Sequence, residues 1–264
     1  MTAASLTQKA EFLSAFERYR TGSAPSDPEI KKETDGDVLR FIGPSLALHD
    51  STVLSPRLLG NRGEMETTVS RQIDYFKQRR RSFEWKVYDF DPGSAGLVAA
   101  LSGAGFEADH SGTVMFAPST LDITRGEGVT TVRITERSEF EALADLQSKV
   151  WGRDSTEFAR ALHNEATHPA GRLDVFLASL SARPIACAWV RHYGEISFFF
   201  GGSTLPQARG QGAYTALVRE RTLAARGRGA NFVVSECVPA SERVLRHLGF
   251  ESAGRVTKYN FLLK

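Results

Sequence analysis

The chain has 264 residues, enough for one large domain or two of ordinary size, and its 33 basic and 31 acidic side chains leave a formal net charge of +2. Its 41% hydrophobic and 24% charged content is that of a soluble globular protein, and no run approaches the roughly 18 apolar residues that a membrane span requires. So small a charge argues against a nucleic-acid partner, and the two cysteines, Cys187 and Cys237, make no disulfide framework and fit a reducing cytoplasm.

Residues 1–20 carry Glu11 and Glu17 and lack an unbroken apolar core, so they read as a helix and not as a signal peptide. A loop containing Gly60 and Gly63 leads into a helix over 64–81. That helix ends in Lys-Gln-Arg-Arg-Arg (77–81), the one strongly basic cluster. A nucleic-acid surface would carry several such patches interleaved with aromatics, whereas cations at a helix C-terminus complement its dipole, so a solvated helix end is the simpler reading. A strand over 83–88, a short helix from 97 that closes on Gly105-Phe106, and a strand over 112–116 follow. Residues 117–128 have linker chemistry and place a domain boundary near 122.

Beyond the boundary, 129–134 alternates as a strand. Ser138 reads as the N-cap of a helix with Phe140, Leu143, Leu146 and Val150 on one face, and 154–167 reads as a second helix. Three antiparallel strands are expected over 173–180, 184–192 and 195–203, with turns at Ala182-Arg183 and Tyr193-Gly194. A helix to about Arg226, a strand over 231–236, a short helix closing on Leu248-Gly249-Phe250 and a last strand over 256–261 complete the order. His192 and His247 read as surface residues on a turn and a helix, and no Cys/His cluster has metal-ligand spacing.

The two halves repeat a pattern. In each a strand precedes a short helix that ends at Gly-Phe-Glu, with Phe106 and Phe250 as the matching positions, and a strand follows. Repeats of this size predict two similar domains in tandem, residues 1–122 and 123–264. The first copy has no Gly-x-Gly before its long helix, so it reads as a degenerate domain without a cofactor motif.

The second copy has one. Gln207-x-x-Gly210-x-Gly212 lies between the apolar run Ile-Ser-Phe-Phe-Phe (196–200) and a helix. Glycines let the backbone approach a ligand, and the free amides of a first helical turn, at the positive end of the dipole, favour a phosphate. Two phosphate motifs fail here: no Lys-Ser or Lys-Thr follows for a Walker A loop, and Thr215 stands where a dinucleotide fingerprint needs Gly or Ala. With Pro206 before it, the motif resembles the acyl-CoA-binding signature of the GNAT N-acetyltransferase superfamily. The segment from Pro239 to Phe250 resembles that family's second signature.

The resemblance implies two tandem GNAT-like α/β (α+β) domains, each a mixed, mostly antiparallel sheet flanked by helices. It implies acetyl-CoA as co-substrate, no metal, and direct attack of an amine of a small molecule or peptide on the thioester in a cytoplasmic monomer or homodimer. Carried onto this chain, the backbone of Arg209, Gly210, Gln211, Gly212, Ala213 and Tyr214 would hold the pyrophosphate, and Thr204 would pair its backbone with the pantetheine arm. Leu245 and Val238 stand where the family's usual tyrosine acid and asparagine would be. Three substitutes are open: Glu195, as a catalytic carboxylate or an exposed hairpin residue; Tyr259, as a group facing the thioester or half-buried core; and Cys237, as a thiol affecting activity beside the pantetheine or, as the default, a buried inert cysteine. The alternative function is a non-catalytic acyl-CoA-binding sensor.

Overall fold

The computed structural model describes residues 3–22, 30–44, 48–124, 128–169 and 171–263, so that 125–127 of the expected linker lie outside the described residues. The helices are α1 (Ala3–Gly22), α2 (Arg62–Gln78), α3 (Ser94–Gly103), α4 (Arg137–Trp151), α5 (Thr156–Ala166), α6 (Ala213–Gly227) and α7 (Pro239–His247). The strands are β1 (Lys31–Asp35), β2 (Val38–Ile42), β3 (Ser51–Leu54), β4 (Phe83–Tyr88), β5 (Glu107–Pro118), β6 (Val129–Ile134), β7 (Leu173–Leu180), β8 (Arg183–Tyr193), β9 (Ile196–Thr204), β10 (Phe232–Cys237) and β11 (Glu251–Phe261). Two compact units result: residues 1–115 with 236–242 and 252–264, and residues 116–235 with 243–251.

In the first unit the strand order is β1-β2-β3-β4-β11-β5, with β3 and β4 parallel and the pairs β1·β2, β2·β3 and β4·β11 antiparallel. The chain's last strand, which belongs to the second half in sequence, thus lies beside β4, with Tyr259 opposite Trp85 and Phe261 opposite Phe83. The reason is apolar complementarity: Tyr259 is 9% exposed in a core with Val53, Phe76, Trp85 and Phe106, and Phe261 packs against the same cluster. Buried cations here carry counter-ions. Arg20 makes a two-pronged bond to Asp91 at 2.7 and 2.8 Å, and Arg40 pairs with Asp35 at 2.6 Å. Lys86 Nζ and Tyr88 Oη both donate to Glu236, at 3.0 and 2.5 Å.

In the second unit the order is β10-β9-β8-β7-β6, antiparallel throughout except for the parallel β9·β10 pair. Alternation along β7 assigns the faces. Leu173, Val175 and Leu177 join a core with Phe140 and Leu143 of α4 and Leu162 of α5, which leaves the intervening Asp174 and Phe176 on the face toward α6. Part of the expected linker is packed within this unit. Ser119 donates its amide to the Asn231 carbonyl at 2.9 Å, and Arg226 donates to the Ser119 carbonyl at 2.9 Å.

Local chemistry moved several boundaries. The N-cap of α4 is Glu136, not Ser138, and Glu139 Oε2 accepts from the Glu136 amide at 2.9 Å. The first hairpin turn falls on Ser181 and Ala182, both left-handed (φ 47° and 61°), and the second on Gly194 and Glu195. The matching Gly-Phe closures are real and alike. Gly105 (φ 84°) and Gly249 (φ 95°) are left-handed, and Phe106 and Phe250 donate to the carbonyls of Leu101 and Leu245 at 3.1 and 3.0 Å.

His192 is not a surface residue. It is 8% exposed, with Nε2 3.0 Å from Asp174 Oδ2 and Nδ1 2.8 Å from Ser197 Oγ, because its cross-strand neighbour is the fully buried Ser197. Burial alone would raise the pKa of Asp174, but His192, Arg133 and Arg228 together hold it below the usual carboxylate range. A depressed folded pKa contributes stability above the unfolded value, and that contribution is lost as pH falls through the folded one. Asp174→Asn should therefore cost about 3 kcal/mol near neutral pH. The gap between wild type and variant in urea unfolding should close as pH drops below about 4.

Candidate functional site

The site is built from one end of β9, the turn after it and the start of α6. The ladder between β9 and β10 holds Ile196, Ser197 and Phe198 opposite Phe232, Val233 and Val234, and there it stops, although β9 runs on to Thr204. On its other edge β9 stays paired with β8 up to Ala186↔Thr204, with a register shift between Cys187 and Trp189. At that bulge Gly201 is left-handed (φ 62°) with the Trp189 indole lying against it, and Gly202 lies under the Tyr214 ring.

The register also orients Thr204. Leu205 donates its amide to the Ile185 carbonyl at 2.9 Å, so this pair is the hydrogen-bonded one. Thr204 and Ala186, one step back, are the non-bonded pair, and the N–H and C=O of Thr204 turn to the edge away from β8. That is the edge on which the β10 ladder has ended.

The turn leaves donors open. Gly210 and Gly212 have φ of 78° and 79°, with Gly212 as the left-handed N-cap of α6, and nothing lies within 4 Å of a Cβ built on either. Among the described backbone hydrogen bonds outside regular elements, none is donated by residues 210–215; the first belongs to Ala216, which donates to Gly212 at 2.9 Å. Arg209 is exposed beside these amides, Gln211 is exposed with its amide group bonded to the Gln207 carbonyl, and Ala213 is buried at the helix base. The structure thus brings Thr204 and the 209–214 segment into one continuous feature.

The helix at the matching place in the first unit starts differently. The Glu64 amide donates to Asn61 Oδ1 and Glu64 Oε2 accepts from the Asn61 amide, so a capping box takes up one amide of the first turn of α2 and sets a carboxylate there. Nearby, a groove of about 910 Å³ opens beside α2, lined by Asp35, Arg40, Glu66, Arg71 and Asp74. Its arginines Arg40 and Arg71 are paired with Asp35.

The catalytic candidates Glu195 and Tyr259 lie elsewhere. Glu195 is exposed in the turn before β9, at the opposite end of that strand from Thr204, which is roughly 30 Å away along nine residues of extended chain. Tyr259 sits in the aromatic core of the first unit. Leu245, at the family's tyrosine position, is fully buried and supplies no proton.

Three further residues lie at this end of β9. Trp151, at the end of α4 and 60% exposed, donates its indole N–H to Ser203 Oγ at 3.2 Å, next to Thr204. Phe158 of α5, also exposed, packs on Trp189 with ring centroids 5.4 Å apart. Arg221 of α6 lies under Tyr214 and bonds the Phe200 carbonyl at the bulge. It occupies the apolar stripe Ala213, Leu217, Arg221, Ala225, and a charge at that spacing was the available signal.

These strand orders and helix placements are those of the GCN5-related N-acetyltransferase (GNAT) fold, present here as a tandem. The chain is similar to a GCN5-related N-acetyltransferase from Kribbella flavida, at 17% identity over 97% of this chain and 96% of that one, with a TM-score of 0.74. It is similar to a tandem GNAT protein from the clavulanic acid biosynthesis pathway, at 15% identity, 98% and 95% coverage and a TM-score of 0.61. It also resembles a GCN5-related N-acetyltransferase from Sphaerobacter thermophilus, at 15% identity, 87% and 81% coverage and a TM-score of 0.64. No protein-family model and no curated protein sequence matches the chain. At these identities the likeness carries the fold. Among the described residues no helix is long and apolar enough to cross a membrane, and no cluster of His, Cys, Asp and Glu is arranged to hold a metal ion.

Proposed function

We propose that the chain is an acetyl-CoA-dependent N-acetyltransferase that acetylates an amine of a small molecule or peptide, with its active centre in the half spanning residues 123–264. The observation that carries this reading is the run of undirected amides at 210–215 immediately beyond a strand whose outer edge is unladdered at Thr204. Amides of Gly210, Gln211, Gly212, Ala213 and Tyr214, with Arg209 beside them, suit a pyrophosphate at a helix N-terminus. The Thr204 backbone suits the amide groups of a pantetheine arm, which would pair with it as a strand does. The thioester would then lie near the β9 bulge, and the acceptor would approach past Trp151 and Phe158.

Titration calorimetry tests the cofactor. Acetyl-CoA should bind with one site per chain, because the capped start of α2 offers no second cradle; absence of binding at high micromolar ligand in a folded sample overturns the reading. Trp151→Ala should raise the KM for an acceptor severalfold and leave the Kd for acetyl-CoA within about twofold, since truncating the indole removes contact area and its bond to Ser203 Oγ but leaves the 210–214 amides in place.

A second reading, a non-catalytic acyl-CoA sensor, is favoured by one observation: Leu245 is fully buried where the family's usual acid stands. Thiol release on a panel of amines separates the two. Stoichiometric binding without turnover on any amine selects the sensor.

A further inference from the structure

Three arginines are buried among the described residues: Arg20, Arg40 and Arg221. The first two have carboxylate partners, Asp91 for Arg20 and Asp35 with Glu33 for Arg40. Arg221 is 1% exposed and has none. Its Nε donates to the Leu217 carbonyl at 3.0 Å and Nη1 to the Phe200 carbonyl at 3.4 Å, its guanidinium lies 4.3 Å from the Phe199 ring centre, and Nη2 is buried with no hydrogen-bond partner. The nearby Cys187 thiol cannot balance it, because burial pushes that pKa up to about 12. Burial accordingly pulls the pKa of Arg221 itself down, an effect that Tyr214 offsets in part.

A buried cation without a counter-ion costs several kcal/mol in the ligand-free protein. Its position relates it to the turn before α6. Bonding to Leu217 turns the guanidinium back four residues toward the start of α6, roughly 7 Å of helix axis from Gly212. It lies beneath Tyr214, whose own amide is one of the open donors. The one uncompensated buried arginine among the described residues therefore stands behind a helix start whose amides are open over a glycine turn.

We propose that Arg221 is a built-in counter-cation for the anionic part of the ligand at Gly210–Tyr214, so that the site selects a ligand carrying phosphates over a neutral thioester. This rests on the acyl-CoA reading for the ligand's identity and on the geometry alone for its charge. In low-dielectric surroundings a charge at this range changes anion affinity by about tenfold or more. A packing role would affect charged and neutral ligands alike.

The test is Arg221→Met in the full chain. Expected are an unchanged or higher Tm without ligand, a Kd for coenzyme A raised by about tenfold, and binding of the phosphate-free S-acetylpantetheine changed less than twofold. Equal losses for the two ligands, or an unchanged Kd for coenzyme A in the folded variant, overturn the proposal. Inorganic pyrophosphate separates this from the cofactor reading: if the wild type ignores coenzyme A yet is stabilised by pyrophosphate and the variant is not, the acyl-CoA reading fails and the counter-cation stands. If neither ligand acts on the wild type, both fail. Should the methionine variant not fold, Arg221→Lys, which keeps the charge, should bind coenzyme A within about threefold of wild type, and a tenfold loss there overturns the proposal.

Discussion

Gly212→Val should raise the Kd for acetyl-CoA by at least about tenfold while lowering Tm by only a few degrees. The residue adopts φ 79° as the N-cap of α6, and a Cβ there would meet nothing within 4 Å, so the Cβ itself adds no overlap. The cost is backbone strain of about 1–2 kcal/mol for a non-glycine left-handed residue, more for a β-branched one. In a chain of this size that is a fall of about 2–8 °C. Relieving the strain rotates the peptide units at 211–213, and the amides that converge on an anion then diverge. Calorimetry with acetyl-CoA and a thermal melt separate the two effects. Undiminished affinity in the valine variant would remove the turn from the site.

Gly201→Ala should have the larger effect on stability. A Cβ built there lies 1.9 Å from Cη2 and 2.0 Å from Cζ3 of Trp189, and φ is 62°, so strain and overlap add. Trp189 is 7% exposed and packs against Phe158, which leaves the indole little room to retreat. Overpacking and left-handed strain together give about 3–4 kcal/mol, or a fall in Tm of about 10 °C. Urea unfolding checks the size. Placing Gly201→Ala in a Trp189→Val background, where the ring is gone, should recover the overlap part of the loss and leave the strain part.

The sequence showed much of this fold because the signals were local. The α6 start follows from Gly210 and Gly212 next to an apolar strand, and the paired closures at Phe106 and Phe250 follow from left-handed glycines at short helix ends. Alternation located β6 to β9 within a few residues, while capping and turn chemistry set their ends. The candidate site divided along the same line. Thr204 and residues 209–214 form one stretch of chain, and the structure keeps them as one feature; Glu195 lies in the turn at the far end of the strand that leads to them. The burial of His192 is not legible locally, because it depends on the register that sets it opposite Ser197, with Asp174 of β7 in reach. Register is a long-range property, and a one-residue shift would have turned the ring outward.

The amino-acid sequence by itself determined the tandem pattern, the glycine turn before α6 and the lack of its counterpart before α2, because each rests on backbone conformations that only certain residues adopt. Tertiary structure alone decided that the last strand lies beside β4 in the first unit, that Trp151 is tied to Ser203, and that Arg221 is buried without a counter-ion. These depend on which apolar faces meet and which polar groups are left without water when they do, and neither can be read from spacing along a chain.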